Sequence, residues 1–594
     1  MKKIFSILLI VLGLYFSLAQ NSEVLADSYY KKGDFKKALV IYENLNKEKP
    51  YSYKYIYKLV DTHQQLEQFD EAENILAQRL AKRRNPTLLV ELGYNFQLKD
   101  SLDRANILYE EAIAHVDENP NYIYSIAKKF EDHSLLEQAI SVYDKGKLLT
   151  PDKNYSIQLA RIYGDQGNIE KMFENYMDYI AYRPNYLNNI KRAVSDFISE
   201  NKSNESNTYL RRLLLKRIQQ EPSPYWYELL SWLYVQEKAY NKSFIQEKAL
   251  YKRNPESLDR IIELAVTALE DNDDDTSKDI FNYILETTQD ASTALTAHQY
   301  ILEIDTQNAS EKELKRIDES YNALFDEFGK SELTLPLQLA YGEFLAFHKK
   351  DTESATAFLR KSMKLNISEF QEAKVKLLLA DILVLQERFN EALIFYSQIQ
   401  MSLKNSTISQ EARFKVAKTS YYKGDFDWAE SQLKILKSST SQLIANDALD
   451  LKLLISDNKY EDSLQTALKH YAKADLFAFQ NKTDGAIALL DRILEEHKGE
   501  SIIDQTLFQQ AKLFEKKKQY DKAVANYLQI ITDYREDILA DDAHYYLAEL
   551  YNTHLAKPEE AKQLYEKIIF DFEDSIYFIE ARKKFRMLRG DSIN

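Results

Sequence analysis

Cysteine is absent from all 594 residues. Its absence removes any disulfide framework and any cysteine-borne lipid anchor, and leaves a structural zinc site to be assembled from nine histidines and nearby carboxylates. Glycine numbers 12 and proline 10, too few for a long disordered linker. Positive charge is in the minority: the net charge is -15, and so acidic a surface repels nucleic acid and anionic lipid headgroups. Catalytic signatures are missing as well. No phosphate-binding loop, dinucleotide glycine fingerprint, nucleophile elbow or zinc-protease helix motif occurs. The sequence therefore assigns no catalytic residue, no cofactor and no metal.

Long apolar runs are lacking except at the start, where Ile4 to Leu18 follows Lys2 and Lys3 and closes with Ser17-Leu18-Ala19 before Gln20-Asn21-Ser22. That order is a secretory signal with cleavage after Ala19, and a run of about 15 residues is short for a spanning helix, which needs about 20. We expect residues 1–19 to be a signal peptide and the mature chain to be periplasmic, soluble and not a lipoprotein. Retention of the run as an anchor is the alternative.

What is abundant is amphipathic helix: 45% of residues are hydrophobic and 29% charged. A small residue recurs through it. Ala38, Ala72, Ala105, Ala139 and Met172 follow one another at intervals of 34, 33, 34 and 33. Ala355, Ala392 and Ala429 are spaced 37 and 37, and Ala486, Ala523 and Ala561 are spaced 37 and 38. Such a period marks stacked helix pairs, each too small to bury its own apolar face. The spacing predicts an N-terminal array over 20–184, a degenerate helical stretch over 185–335, and a C-terminal array over 336–594 with a basic capping helix. In the stretch 185–335, Leu210, Leu213 and Leu214 read as a buried face, and Tyr240, Ser243, Leu250 and Pro255 as one recognisable repeat. The step from Ala429 to Ala486 is longer than any within the arrays, a gap that predicts one long helix from about Glu461 to Gln480.

The copies are specific. Gly33-Asp34-Phe35, Ala38, Tyr42, Leu45 and Pro50 give a turn, a helix face and a stop; Leu92-Gly93, Phe96, Leu102, Ala105, Tyr109 and Ala112 repeat them. This pattern resembles the tetratricopeptide family. The resemblance implies an all-α, right-handed superhelical solenoid, here of about 13–14 helix pairs by the spacing. The last copy, Tyr565, Ile568, Asp571-Phe572-Glu573-Asp574-Ser575, Tyr577 and Glu580-Ala581-Arg582, resembles the closing repeat of BamD- and CpoB-type proteins of the bacterial envelope. Those families usually place a proline where Glu573 stands.

In the family the first helix of each pair lines a groove that holds other proteins. Its offsets point here to Tyr57, Asp61, Gln64, Tyr94, Gln97, Tyr124, Lys128 and Arg161. A mixed aromatic and polar lining suits an extended segment of another protein. Where chaperone-binding relatives clamp a terminal carboxylate, the chain has Glu23 and Asp27, so no such clamp is expected. Most of the 42 tyrosines, Tyr42, Tyr109, Tyr143, Tyr176, Tyr527 and Tyr565 among them, fall at packing positions. Arg582, Lys583, Lys584, Arg586 and Arg589 form a basic cluster, read either as a polar cap or as a docking patch for an acidic partner. Arg589-Gly590-Asp591 reads as a helix stop, Asp271 to Asp275 as an interhelical loop, and His544 and His554 as separated by a loop. The expected function is a non-catalytic scaffold for envelope proteins in outer-membrane assembly, secretion or cell-wall machinery. Its partners are extended protein segments, not nucleic acid, and a homo-oligomer is open. The alternative is a glycan-binding or cell-wall-modifying protein, with Tyr225, Trp226 and Trp232 stacking on sugars.

Overall fold

The recurrent small residue is the point at which the two helices of a pair touch. Ala38, Ala72, Ala105, Ala139, Ala355, Ala392, Ala429, Ala486, Ala523 and Ala561 are all completely buried on the second helix of their pairs. Five residues before each of them the chain makes its turn through a left-handed residue. These are Gly33, Glu67, Asp100, Ser134, Lys350, Glu387, Gly424, Asn481, Lys518 and Ala556, with φ between 51° and 82°. The following amide closes the turn on the first helix: Gln68 N–H donates to the His63 carbonyl at 2.9 Å, and Gln519 N–H to the Phe514 carbonyl at 2.8 Å. Only two of these turns have glycine, so elsewhere an L-residue holds the left-handed conformation against its intrinsic cost.

The computed structural model describes residues 22–307, 309–436, 441–460 and 464–591. The signal expected over residues 1–19 lies outside the described residues. The fold is all-α: 32 helices in a repeat arrangement, with no strand among the described residues. No described helix is long and apolar enough to cross a membrane. Two compact units divide after Glu237, within the stretch expected to be degenerate. The first holds the pairs residues 22–31 with Phe35–Glu48, Tyr53–Gln65 with Phe69–Lys82, Pro86–Leu98 with Leu102–Glu118, Ile123–Asp132 with Leu136–Leu149, and Ser156–Asp165 with Ile169–Tyr182. Leu187–Ser195, Glu205–Gln220 and Pro224–Gln236 complete it. The second unit runs from Tyr240–Arg253, with its helices largely in pairs, to Pro558–Asp571 and Phe578–Arg589.

The stretch 185–335 keeps the repeat in altered form. Ser243 and Ser277, fully buried and one repeat apart, stand where alanine stands elsewhere, each five positions after a left-handed turn at Lys238 or Asn272. A buried hydroxyl is tolerated because Ser277 Oγ donates to the Ala265 carbonyl of the first helix at 2.9 Å. The longer period of the later repeats has two sources. Glu369–Leu385 has 17 residues against 13 in Tyr53–Gln65, whereas near the C-terminus the helices stay at 14 residues and the connections lengthen.

The long gap between Ala429 and Ala486 contains two helices where one was expected. Gln442–Asn458 is an inserted single helix; Thr466–Phe479 begins a new pair after a left-handed turn at Gln465, and residues 461–463 lie outside the described residues. Gln465 Nε2 donates back to the Lys459 carbonyl at 3.2 Å, which ties the two helices at their junction. Thr466–Phe479 also reaches back to earlier first helices. Leu476 is buried in the core built by Leu295 to Val416, and Phe479 packs on Phe347 and Tyr422. Lys473 pairs with Glu387 at 2.8 Å, and Gln480 Nε2 donates to the Leu385 carbonyl at 3.0 Å.

Candidate protein-binding groove

Along the first helices of the N-terminal pairs, polar and aromatic side chains of successive pairs meet. Glu23 takes Lys54 and the Tyr55 hydroxyl; Asp27 takes Lys58 at 3.1 Å and the Tyr42 hydroxyl at 2.5 Å; Asp61 Oδ2 accepts from the Tyr30 hydroxyl at 2.8 Å. On the next first helix, Glu91 is 3% exposed and holds Lys129 at 2.8 Å and His133 at 3.1 Å. The Lys129 ammonium lies 3.9 Å from the centre of the Tyr57 ring, and the His133 ring stacks on Tyr94 at 3.8 Å. Burial would raise the Glu91 carboxyl, but His133 and Lys129 outweigh it and hold the group below its usual range. Asp61 goes the other way: burial raises it, against the hydrogen bond from Tyr30.

The eight residues expected to line the groove divide. Tyr57, Asp61 and Tyr94 converge on this cluster, half-buried, and burial pushes the Tyr57 phenol up to about 12. Tyr124, Lys128 and Arg161 are exposed on the following first helices, with Lys128 paired to Asp132 at 3.1 Å and Tyr124 packed on Tyr155. Gln64 is a correction. It is buried and donates to Asn95 Oδ1 at 3.3 Å, tying two repeats together from inside, because helix rotation turns its position toward the neighbouring pair. Gln97 accepts the hydroxyl of the core residue Tyr109 at 3.0 Å and so serves the packing. Glu91, Lys129 and His133 were not singled out from the sequence. A glutamate directly after the buried run Leu88-Leu89-Val90 was the available sign.

The same tyrosine logic recurs. Tyr143 donates to Glu131 at 2.9 Å and Tyr396 to Asp381 at 2.5 Å; Tyr527 and Tyr565 donate to Glu515 and Glu549. The ring fills the core and the hydroxyl reaches an acceptor on the first helix, which explains tyrosine in place of phenylalanine there.

The basic cluster is dispersed. Lys584 is paired with Glu549 at 2.6 Å, and Arg586 and Arg589 both contact Asp591. Arg582 and Lys583 are exposed, with Arg582 against the Phe578 ring. Arg582, Arg586 and Arg589 stand one repeat after His544, Ala548 and Tyr551, which pack toward the second helix Pro558–Asp571. Arginine at those positions gives the last described helix a polar face there. Gly590 stops the final helix at φ 84°. Asp271 to Asp275 spans a turn, with Asp273 capping the next helix. His544 bonds the Ala540 carbonyl while His554 stacks on Tyr520, so the two are engaged separately. Trp226 is 1% exposed and packed with Tyr225, which removes the central ring of the proposed sugar platform.

A stack of helix pairs presenting such a lined face defines an α-helical repeat protein of the protein-binding class. Tetratricopeptide repeats are detected: that family's profiles match residues 29–89 and 505–537. No curated protein matches the sequence. Among solved structures, the chain is similar to one in the crystal structure of the APC/C hetero-tetramer Cut9-Hcn1, at 13% identity, with 97% of this chain and 98% of that chain covered and a TM-score of 0.25. It is similar to one in the structure of Naa15/Naa10 bound to HypK-THB, at 14% identity, with 96% of each chain covered and a TM-score of 0.25. Overlap this loose carries neither partner nor activity to the present chain.

Proposed function

We propose that the chain is a non-catalytic, periplasmic scaffold that holds extended segments of other envelope proteins along the first-helix face of its N-terminal repeats. The observation that carries this reading is the cluster of Tyr30, Tyr57, Asp61, Glu91, Tyr94, Lys129 and His133. Fixed aromatic rings and oriented polar groups lie there on successive first helices, where family members take their ligands. Export is supported by the order of residues 1–22, and an envelope role by the likeness of the last repeat to BamD- and CpoB-type proteins. Outer-membrane assembly, secretion and cell-wall machinery are the settings consistent with both. The test is in-cell cross-linking from Tyr124 or Arg161, each replaced by a photoreactive residue, followed by identification of adducts in envelope fractions. We expect discrete protein adducts that vanish when Tyr94 and Tyr57 are both changed to alanine. Adducts indistinguishable from those of a probe at exposed Leu148, away from the groove, would sink the reading.

A further inference from the structure

The first-helix face of the N-terminal repeats carries ion pairs between successive repeats, two of which set the lysine over a tyrosine ring. Asp27 has Lys58 at 3.1 Å, with that ammonium 5.6 Å from the Tyr30 ring centre. Glu91 has Lys129 at 2.8 Å, with that ammonium 3.9 Å from the Tyr57 ring centre. Glu23 has Lys54, and Glu131 and Asp132 share Lys128. Asp61 lies between the first two units and pairs with no lysine or arginine among the described residues; its protein partner is the Tyr30 hydroxyl at 2.8 Å. Lys58, on the same helix just before it, is engaged by Asp27. Asp61 stands one repeat after Asp27, 34 residues on, and one repeat after Lys58, the cation that serves Asp27, the chain has Leu92. The ring that would complete the unit is Tyr94, half-buried, stacked on His133 and near enough to Tyr30 to act on its phenol.

We propose that Asp61 is a recognition site for a cationic side chain, the arginine or lysine of an extended protein segment lying in the groove, with Tyr30 and Tyr94 as its aromatic walls. This deepens the groove-binding reading and rests on it. A half-buried carboxylate without a counter-ion is unfavourable in the free protein, and a guanidinium or ammonium brought by the ligand restores the arrangement seen at Asp27 and Glu91. Burial already raises the Asp61 carboxyl, as expected of a group lacking its cation. The ionisable groups facing Asp61 are Glu91, His133 and Lys58; the Lys58 ammonium is already engaged by Asp27 and the His133 ring by Glu91. The local balance therefore favours an incoming cation over an anion.

The experiment uses the full chain and positional-scanning pools of fluorescent ten-residue peptides, each pool with one position fixed as Arg, Lys, Gln or Glu, read by anisotropy at low and moderate salt. We expect Arg and Lys pools to bind at least tenfold tighter than Gln or Glu pools, the advantage shrinking as salt rises. The advantage should be lost in Asp61→Asn and kept in Tyr30→Phe, with both variants matching the parent by circular dichroism. Equal binding of cationic and neutral pools, or a cationic preference that survives Asp61→Asn, overturns this inference and leaves the groove reading standing. If no pool binds at all, both fail.

Discussion

At the scale of single residues, the fold places charge where burial makes it matter. Asp504, 2% exposed at the start of helix Ile503–Lys516, is raised to about 6 by burial, with Asp537 and Asp457 adding repulsion. Because its folded-state value lies above that of the unfolded chain, protonated Asp504 favours folding. The contribution is full below pH 3.8 and is lost as pH rises through about 6. Asp504→Asn should therefore raise the melting temperature at pH 7.5, with a gain of about 2–3 kcal/mol, and change little at pH 4. Thermal melts at both values check this; an equal shift at both would mean the charge is not the cause. Lys512 shows the same physics with opposite sign, burial bringing its ammonium down to about 8 beside the Tyr546 ring. Neither residue stands out in the sequence, because a lone Asp or Lys on a helix reads as solvated until the neighbouring repeat covers it.

At the scale of elements, the pairs were legible and their exceptions were not. The alanine period located the turns, the buried faces and the packing tyrosines, since all three follow from one local geometry repeated along the chain. Ser277 was missed because serine is a polar letter, although its distance of one repeat from Ser243 was readable. The expected helix from Glu461 to Gln480 proved to be Thr466–Phe479 preceded by a separate helix, because the apolar period does not mark where two helices are joined. What Thr466–Phe479 touches is a tertiary matter. Leu476, fully buried in a core whose other members are distant in sequence, should cost about 3 kcal/mol when changed to alanine. Leu449→Ala, on the neighbouring inserted helix and 49% exposed, should cost well under about 1 kcal/mol. Urea denaturation followed by circular dichroism separates the two, and equal losses would show that Leu476 is not the anchor described.

At the scale of the whole molecule, an apolar helix face left uncovered at the edge of a repeat array invites association. Arg582, Arg586 and Arg589 occupy positions that in the preceding pair face a second helix, and we propose that their charge disfavours stacking of another helix there. Arg582→Leu with Arg586→Leu should convert this end to an apolar face and promote self-association, read as a concentration-dependent rise in mass by light scattering. A variant that stays at the parent's mass at all concentrations would remove the capping role. The sequence by itself determined the helical class, the repeat, the tyrosine-rich packing and the acidic, cysteine-free surface, because each depends on local periodicity and composition. The tertiary structure decided which of the groove-facing letters are free. Gln64 turned inward, Gln97 was taken by Tyr109, Glu91 gained Lys129 and His133, and Asp61 was left without a counter-ion. Those outcomes depend on which side chains of successive repeats come within a few ångströms of one another, and a repeat period does not specify that.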